Sequence, residues 1–302
     1  MSDPNTRILV VAFDALRPDM ATPDLMPRLN AFADAGVRFS QARSTFPTET
    51  RVNQTALVTG SMPARHGIVG NHFMDRAASP DKLFNTGDED ALREGDKRLD
   101  GKLVDVPVLG EILAAAGESL AVVSSGTPGG TRMLHHRAEQ LGQFRLSLHR
   151  PDASTPPDAI AAAIQAAGPI PKHAIPSLDW LGYTADVYLN YIQPELDPSV
   201  TILWFCEPDN SYHYKGLGSD DNRAAIARAD AEFGRLLDWR HAAGLDDSLQ
   251  IVTLSDHGQL SVTSEAVDVA GALTAAGFSV GATPFDGADC ALALSSAGGV
   301  YV

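Results

Sequence analysis

Three apolar runs in this chain each lead into acidic residues, and that pattern constrains the fold more than any other. I-L-V-V-A-F begins at Ile8 and ends at Asp14. V-T-I-L-W-F-C begins at Val200 and leads through Glu207 to Asp209, with His213 four residues on. L-Q-I-V-T-L begins at Leu249 and leads to Asp256 and His257. Ile8 to Phe13 does not alternate, so it reads as a strand buried on both faces. Between the runs lie helical patterns. Residues 25–35 place Leu25, Leu29 and Phe32 on one stripe and stop at Gly36. Residues 107–116 turn Val108, Leu109, Ile112 and Leu113 inward before Gly117. Residues 221–239 align Ile226, Ala229, Phe233, Leu236 and Leu237. A further helix begins near Thr50 and covers Thr55–Thr59, and 119–124 reads as a strand. Val37–Phe39 is a short strand candidate. Strands separated by helices require parallel crossovers. The expected fold is therefore α/β, a mainly parallel sheet covered by helices on both faces. Ligands bind such sheets beyond the carboxyl ends of the strands, where Asp14, Asp209 and Asp256 all fall.

At 302 residues and 44% hydrophobic composition the chain can build one large domain, or a core with a cap. The net charge of −15 disfavours a nucleic-acid polymer or an anionic membrane as partner. It does not exclude a small phosphorylated substrate, because bound divalent cations set the local sign. Two cysteines, Cys206 and Cys290, indicate no disulfide framework. The first residues lack the basic-then-apolar pattern of a leader, and the apolar runs are too short to span a membrane, so a cytoplasmic location is expected. Residues 74–105 are charged and weakly periodic and read as an excursion over the surface. Residues 127–180, rich in Pro and Gly, read as a second insertion. Beyond His257 come a helix candidate at 264–276 and strand candidates at 289–294 and 298–302.

Carboxylates and imidazoles together suit zinc, with manganese or iron as alternatives. Taken alone, Asp14 reads equally well as a helix N-cap, and Asp209 with His213 as a capped turn. Asp256-His257-Gly alone is more often a turn. The three would all have to be structural at once to remove a metal site. Two ions about 3.5–4 Å apart can activate a nucleophile and stabilise a leaving oxygen. The nucleophile candidate lies in the threonine-rich segment S-T-F-P-T-E-T at 44–50, although Thr48 and Thr50 could simply cap a helix.

Six segments together resemble the alkaline phosphatase superfamily, in its nucleotide pyrophosphatase/phosphodiesterase branch. They are V-A-F-D-A-L-R-P-D at 11–19, F-P-T-E-T at 46–50, V-T-G-x-x-P-x-x-H-G-I at 58–68, G-N at 70–71, E-P-D-x-x-x-H at 207–213 and S-D-H-G at 255–258. The resemblance implies that Thr50 is a nucleophile forming a covalent phospho-enzyme. It implies that Asp14, Asp256 and His257 hold the ion that activates Thr50, and that Asp209 and His213 hold part of a second site. Asn71 matches an amide that hydrogen-bonds a phosphoryl oxygen, and His66 matches a structural position. The family's third ligand to the second ion is a histidine far downstream, and His257 is the last histidine here. The second site is therefore expected to be incomplete. Its replacement by His135, His136 or His149 is not expected, and a second chain or homo-oligomer supplying the ligand is an alternative. Residues 1–263 are expected to be the catalytic core and 264–302 the start of a truncated cap. Arg51 stands where the family usually has an aromatic, making it a candidate substrate contact. The absence of a cysteine near Thr50 disfavours a sulfatase. The implied activity is hydrolysis of small-molecule phosphodiester or pyrophosphate bonds. Monoester or phosphonate hydrolysis, as in phosphonoacetate hydrolase, and a catalytically silent fragment are the alternatives.

Overall fold

The computed structural model describes residues 6–283, 287–294 and 297–302. Its main sheet has five strands: β1 (Arg7–Phe13), β2 (Leu120–Ser124), β3 (Arg145–Ser147), β4 (Val200–Phe205) and β5 (Leu249–Leu254). They lie in the order β3-β2-β4-β1-β5, all parallel. Successive side chains on a strand point to opposite faces, so one run feeds two cores. Leu9, Val11, Phe13, Val123, Leu203 and Phe205 join one core, which also holds Trp180, Tyr188 and Phe233. Val10, Ala12, Val122, Ile202 and Trp204 join the other, with Val58 and Leu134. This two-sided burial is why the runs are continuously apolar. β5 differs, because it has β1 as its one neighbour among the described residues and leaves Val252 47% exposed.

The helices form largely where the apolar stripes place them. Pro27–Ala35 packs Leu29 and Phe32 against the first core. Its opening N–H groups, on Arg28 and Leu29, donate to Asp230 at 2.9 and 2.7 Å, so a side chain from another helix caps it. Thr50–Thr59 ends at Gly60, whose φ of 60° is left-handed. Leu109–Ala115 and Asp220–Ala242 match the other two periodic segments, the latter capped by Ser219, but Ile112, expected to face inward, stands 54% exposed. No helix among the described residues is long and apolar enough to cross a membrane.

Four expectations change. Val37–Phe39 is not a strand, for it finds no pairing partner among the described residues and its two apolar side chains stand 79% and 78% exposed. Residues 74–105 are not merely a surface excursion. Glu89–Arg98 is a helix capped by Asp88, and Phe84 and Leu92 build a third core with Ile68, Phe73, Leu103 and Met133. Residues 127–180 hold β3, a strand of the main sheet, and the helices Pro128–Leu134, Pro157–Ala167 and Leu178–Val187. A buried carboxylate ties these segments together, since Glu89 accepts from Arg132 and from Arg145, each at 3.0 Å. The helix expected over 264–276 is confined to Val269–Ala275. The strands Cys290–Leu294 and Gly298–Tyr301 do form, antiparallel, beside Val280–Gly281. Tyr301 packs on the third core. Both cysteines are free and buried.

Candidate active site

β4, β1 and β5 end side by side, with Phe13 opposite Phe205 and Ala12 opposite Leu254. Asp14 continues the ladder by donating its N–H to the Phe205 carbonyl at 2.9 Å. Ala15 then turns the chain with φ of 61°, a left-handed conformation that a residue with a Cβ adopts at a cost. Its N–H donates to Asp256 Oδ1 at 3.1 Å, joining the ends of β1 and β5. Oδ2 of Asp14 accepts from Trp204 Nε1 at 2.9 Å. Each carboxylate therefore has one oxygen occupied. The other oxygens, Asp14 Oδ1 and Asp256 Oδ2, are buried and have no hydrogen-bond partner among the described residues. Both lie 3.5 Å from His257 Nε2.

The imidazole's tautomer follows from its other contact. Nδ1 lies 2.9 Å from the Gly258 carbonyl, which can only accept, so Nδ1 carries the hydrogen. In the neutral ring Nε2 is then a bare lone pair. Three acceptors thus converge in a buried place, with ligand atoms within 4.8 Å of one another. The Thr50 hydroxyl can donate to Nε2, but the two carboxylate oxygens beside it have no donor among the described residues, and a cation resolves that conflict. Burial raises the pKa of Asp14, with Asp256 and Asp209 adding to it, and burial raises that of Asp256. A divalent ion would reverse both shifts. Two carboxylates and a neutral imidazole fit such an ion.

Thr50 opens the helix Thr50–Thr59, and its Oγ1 lies 2.9 Å from His257 Nε2. Asn71 comes from the turn before the short strand His72–Phe73. Its Oδ1 accepts from Arg51 N–H at 3.2 Å, which brings the side-chain amide to the first turn of that helix. Asn71 N–H in turn donates to Glu49 Oε2 at 2.5 Å. Motif reading did not single out Glu49 and Trp204, which hydrogen-bond Asn71 and Asp14. A charged residue inside an otherwise uncharged turn, and an indole N–H in a fully buried run, were the available signals. His66 is buried and its Nδ1 accepts from the Ile68 N–H at 3.2 Å, a structural role.

Asp209 and His213 begin and follow along one short helix, Asp209–Lys215, with Asp209 Oδ1 and His213 Nε2 3.3 Å apart. This hydrogen bond raises the pKa of His213. Asp209 N–H donates to the Asp14 carbonyl at 3.1 Å, so the pair sits next to the trio. Buried Glu207 shapes the turn, accepting from Ser177 N–H at 2.7 Å and Ser211 N–H at 3.0 Å. Among the described residues no third ligand atom clusters with Asp209 and His213. His135 bonds Gln143 and His136 bonds Asp96, both buried elsewhere, while His149 packs on His173 and Trp180.

Residues 8–292 match the family model described as type I phosphodiesterase/nucleotide pyrophosphatase. The chain belongs to this family. Among curated relatives of this phosphodiesterase-family chain, ectonucleotide pyrophosphatase/phosphodiesterase family member 7 of Mus musculus is 24% identical over 265 residues, 87% of this chain and 52% of the relative. Mouse bis(5'-adenosyl)-triphosphatase enpp4 is 25% identical over 262 residues, 83% of this chain and 47% of the relative. The chain thus spans about half the length of the curated relatives it matches. Among solved structures, phosphonoacetate hydrolase from Sinorhizobium meliloti, in complex with phosphonoformate, superposes with a TM-score of 0.58 at 21% identity, covering 84% of this chain and 57% of that one. Murine ectonucleotide pyrophosphatase/phosphodiesterase 5, an inactive form with AMP, gives 0.56 at 22% identity, covering 84% and 57%. The shared fold is this α/β sheet.

Proposed function

We propose that this chain is a metal-dependent hydrolase of phosphodiester or pyrophosphate bonds in small molecules, with Thr50 as nucleophile. One observation supports this above the rest. Thr50 Oγ1 lies 2.9 Å from Nε2 of His257, and two carboxylate oxygens without a hydrogen-bond partner among the described residues lie 3.5 Å from that same nitrogen. Asp14, Asp256 and His257 would hold a divalent cation, zinc by ligand type. Such an ion lowers the pKa of a hydroxyl that coordinates it. The remaining parts belong to the chain. The N-terminal end of Thr50–Thr59, with its partial positive charge, would favour a phosphoryl group beside Thr50. Asn71 Nδ2 can donate to one of its oxygens as charge develops. Asp209 and His213 offer two side chains to a second ion, which we expect to be held weakly.

A second reading, hydrolysis of a monoester or phosphonate, is favoured by Arg51, a cationic residue directly after Thr50. Thr50→Ala tests the common core of both readings. Zinc-loaded Thr50→Ala should keep its melting profile and lose at least about a thousandfold in kcat/KM on p-nitrophenyl esters. Near-normal turnover would remove Thr50 from the chemistry.

A further inference from the structure

Arg51 is half-buried in the first turn of Thr50–Thr59. Its backbone is fixed, because its N–H donates to Asn71 Oδ1. Its guanidinium is walled on one side by the chain at Gly87. A Cβ there would lie 3.5 Å from Nη2 of Arg51 and 3.2 Å from Asn85 Oδ1. Nε of Arg51 is buried and has no hydrogen-bond partner among the described residues. A buried donor on a charged group is rarely left without an acceptor, and where it is, the acceptor is often a ligand.

The surroundings say what kind of acceptor. Burial lowers the Arg51 pKa, while Asp14, Glu49, Asp209 and Asp256 act on it in the opposite sense. A guanidinium stays charged under such a perturbation. The carboxylates of the candidate metal site are thus near enough to act on its charge. Glu49 Oε2 accepts from the Asn71 N–H. A purely structural guanidinium would have its donors matched to fixed acceptors, and the buried Nε here is unmatched.

We infer that Arg51 sets the charge preference of this site, taking the ionised oxygen that a phosphomonoester or phosphonate carries on the reacting phosphorus and a diester does not. The inference rests on the reading of Thr50 as the nucleophile. A diester offers two terminal oxygens that share one negative charge. A monoester or phosphonate dianion offers three that share two. Asn71 Nδ2 and the helix N–H groups are neutral donors, so they answer the first case. The extra charge calls for a charged donor, and a guanidinium fork suits it better than an ammonium.

The test compares zinc-loaded wild type with Arg51→Ala, Arg51→Lys and Arg51→Gln on p-nitrophenyl phosphate, phosphonoacetate and methyl p-nitrophenyl phosphate. Arg51→Ala should lower kcat/KM for the two dianions about 10- to 100-fold and for the diester less than about threefold. Arg51→Lys should fall between, because it keeps the charge and loses the fork. Equal losses on all three substrates, or no loss, would overturn the inference while leaving Thr50 in place. Should Thr50→Ala prove as active as wild type, the nucleophile reading itself fails, and calorimetric binding of inorganic phosphate then decides Arg51 alone. At least about tenfold weaker phosphate binding by Arg51→Ala supports the seat, and unchanged binding sinks it. Circular dichroism and thermal melting identify folded variants, and Arg51→Gln replaces the alanine if that one fails to fold.

Discussion

The two carboxylates of the trio use their oxygens in the same divided way. One oxygen of each is held by a protein donor, Trp204 for Asp14 and the Ala15 N–H for Asp256, and the other is kept bare. A neighbour that orients a ligand raises metal affinity, typically by one to two orders of magnitude. Trp204→Phe keeps the aromatic volume in its core and removes only the N–H. It should weaken zinc binding about tenfold with little loss of stability, as read by titration against a competing chelator; unchanged affinity would show that the indole only fills space. At this scale the candidate ligands were legible because acids at strand ends are conspicuous. Trp204 was not, since a buried tryptophan in a strand looks like core wherever its N–H points. Arg51 was legible only as a substitution of type, and its unpartnered Nε emerged with the fold.

The helix Pro128–Leu134 carries an element-level constraint on the site. Gly129 lies against the chain at Thr86 and Gly87, and a Cβ there would collide with the Thr86 carbonyl oxygen. Gly87 in turn borders the Arg51 guanidinium. Gly129→Ala should therefore cost about 1–3 kcal/mol or more in a urea titration, because backbone and not a flexible side chain must give way. A wild-type midpoint would mean the helix can shift freely. The long strands and helices were readable from periodicity. β3 was not, for three residues hold too little pattern to separate a strand from the loops around it. Val37–Phe39 shows the opposite failure, in which β-branched and aromatic composition suggested a strand without a neighbour to pair with it.

Acid should destabilise the whole molecule through histidines buried as neutral rings. Burial pushes His66 down to about 4, and burial with Arg145 pushes His135 down to about 3. Their unfolded values lie near 6.5. Folded values below unfolded ones mean that this stability is complete above pH 6.5 and declines as pH falls toward the folded pKa. Each ring contributes up to about 1.4 kcal/mol per pH unit within that window. Asp14 and Asp256 act in the opposite direction while metal-free, so the comparison is best made between wild type and His66→Asn in chelator. Between pH 6.5 and 4.5 wild-type stability should fall more steeply, and parallel slopes would exclude His66. The class of architecture was legible from strand and helix alternation, whereas the third core was hidden because charged residues outnumber apolar ones across 74–105. β5 gives the fold a last consequence. Asp14 leaves β1, while Asp256 and His257 leave an outer strand held, among the described residues, on one side only. A slip of one residue between these strands would move the ligands by about 3.3 Å and reverse the faces of β5. Metal coordination tolerates errors of about 0.2 Å. A cation bound across the two strands would accordingly act as a register lock, accepting one alignment of β5 and rejecting its neighbours.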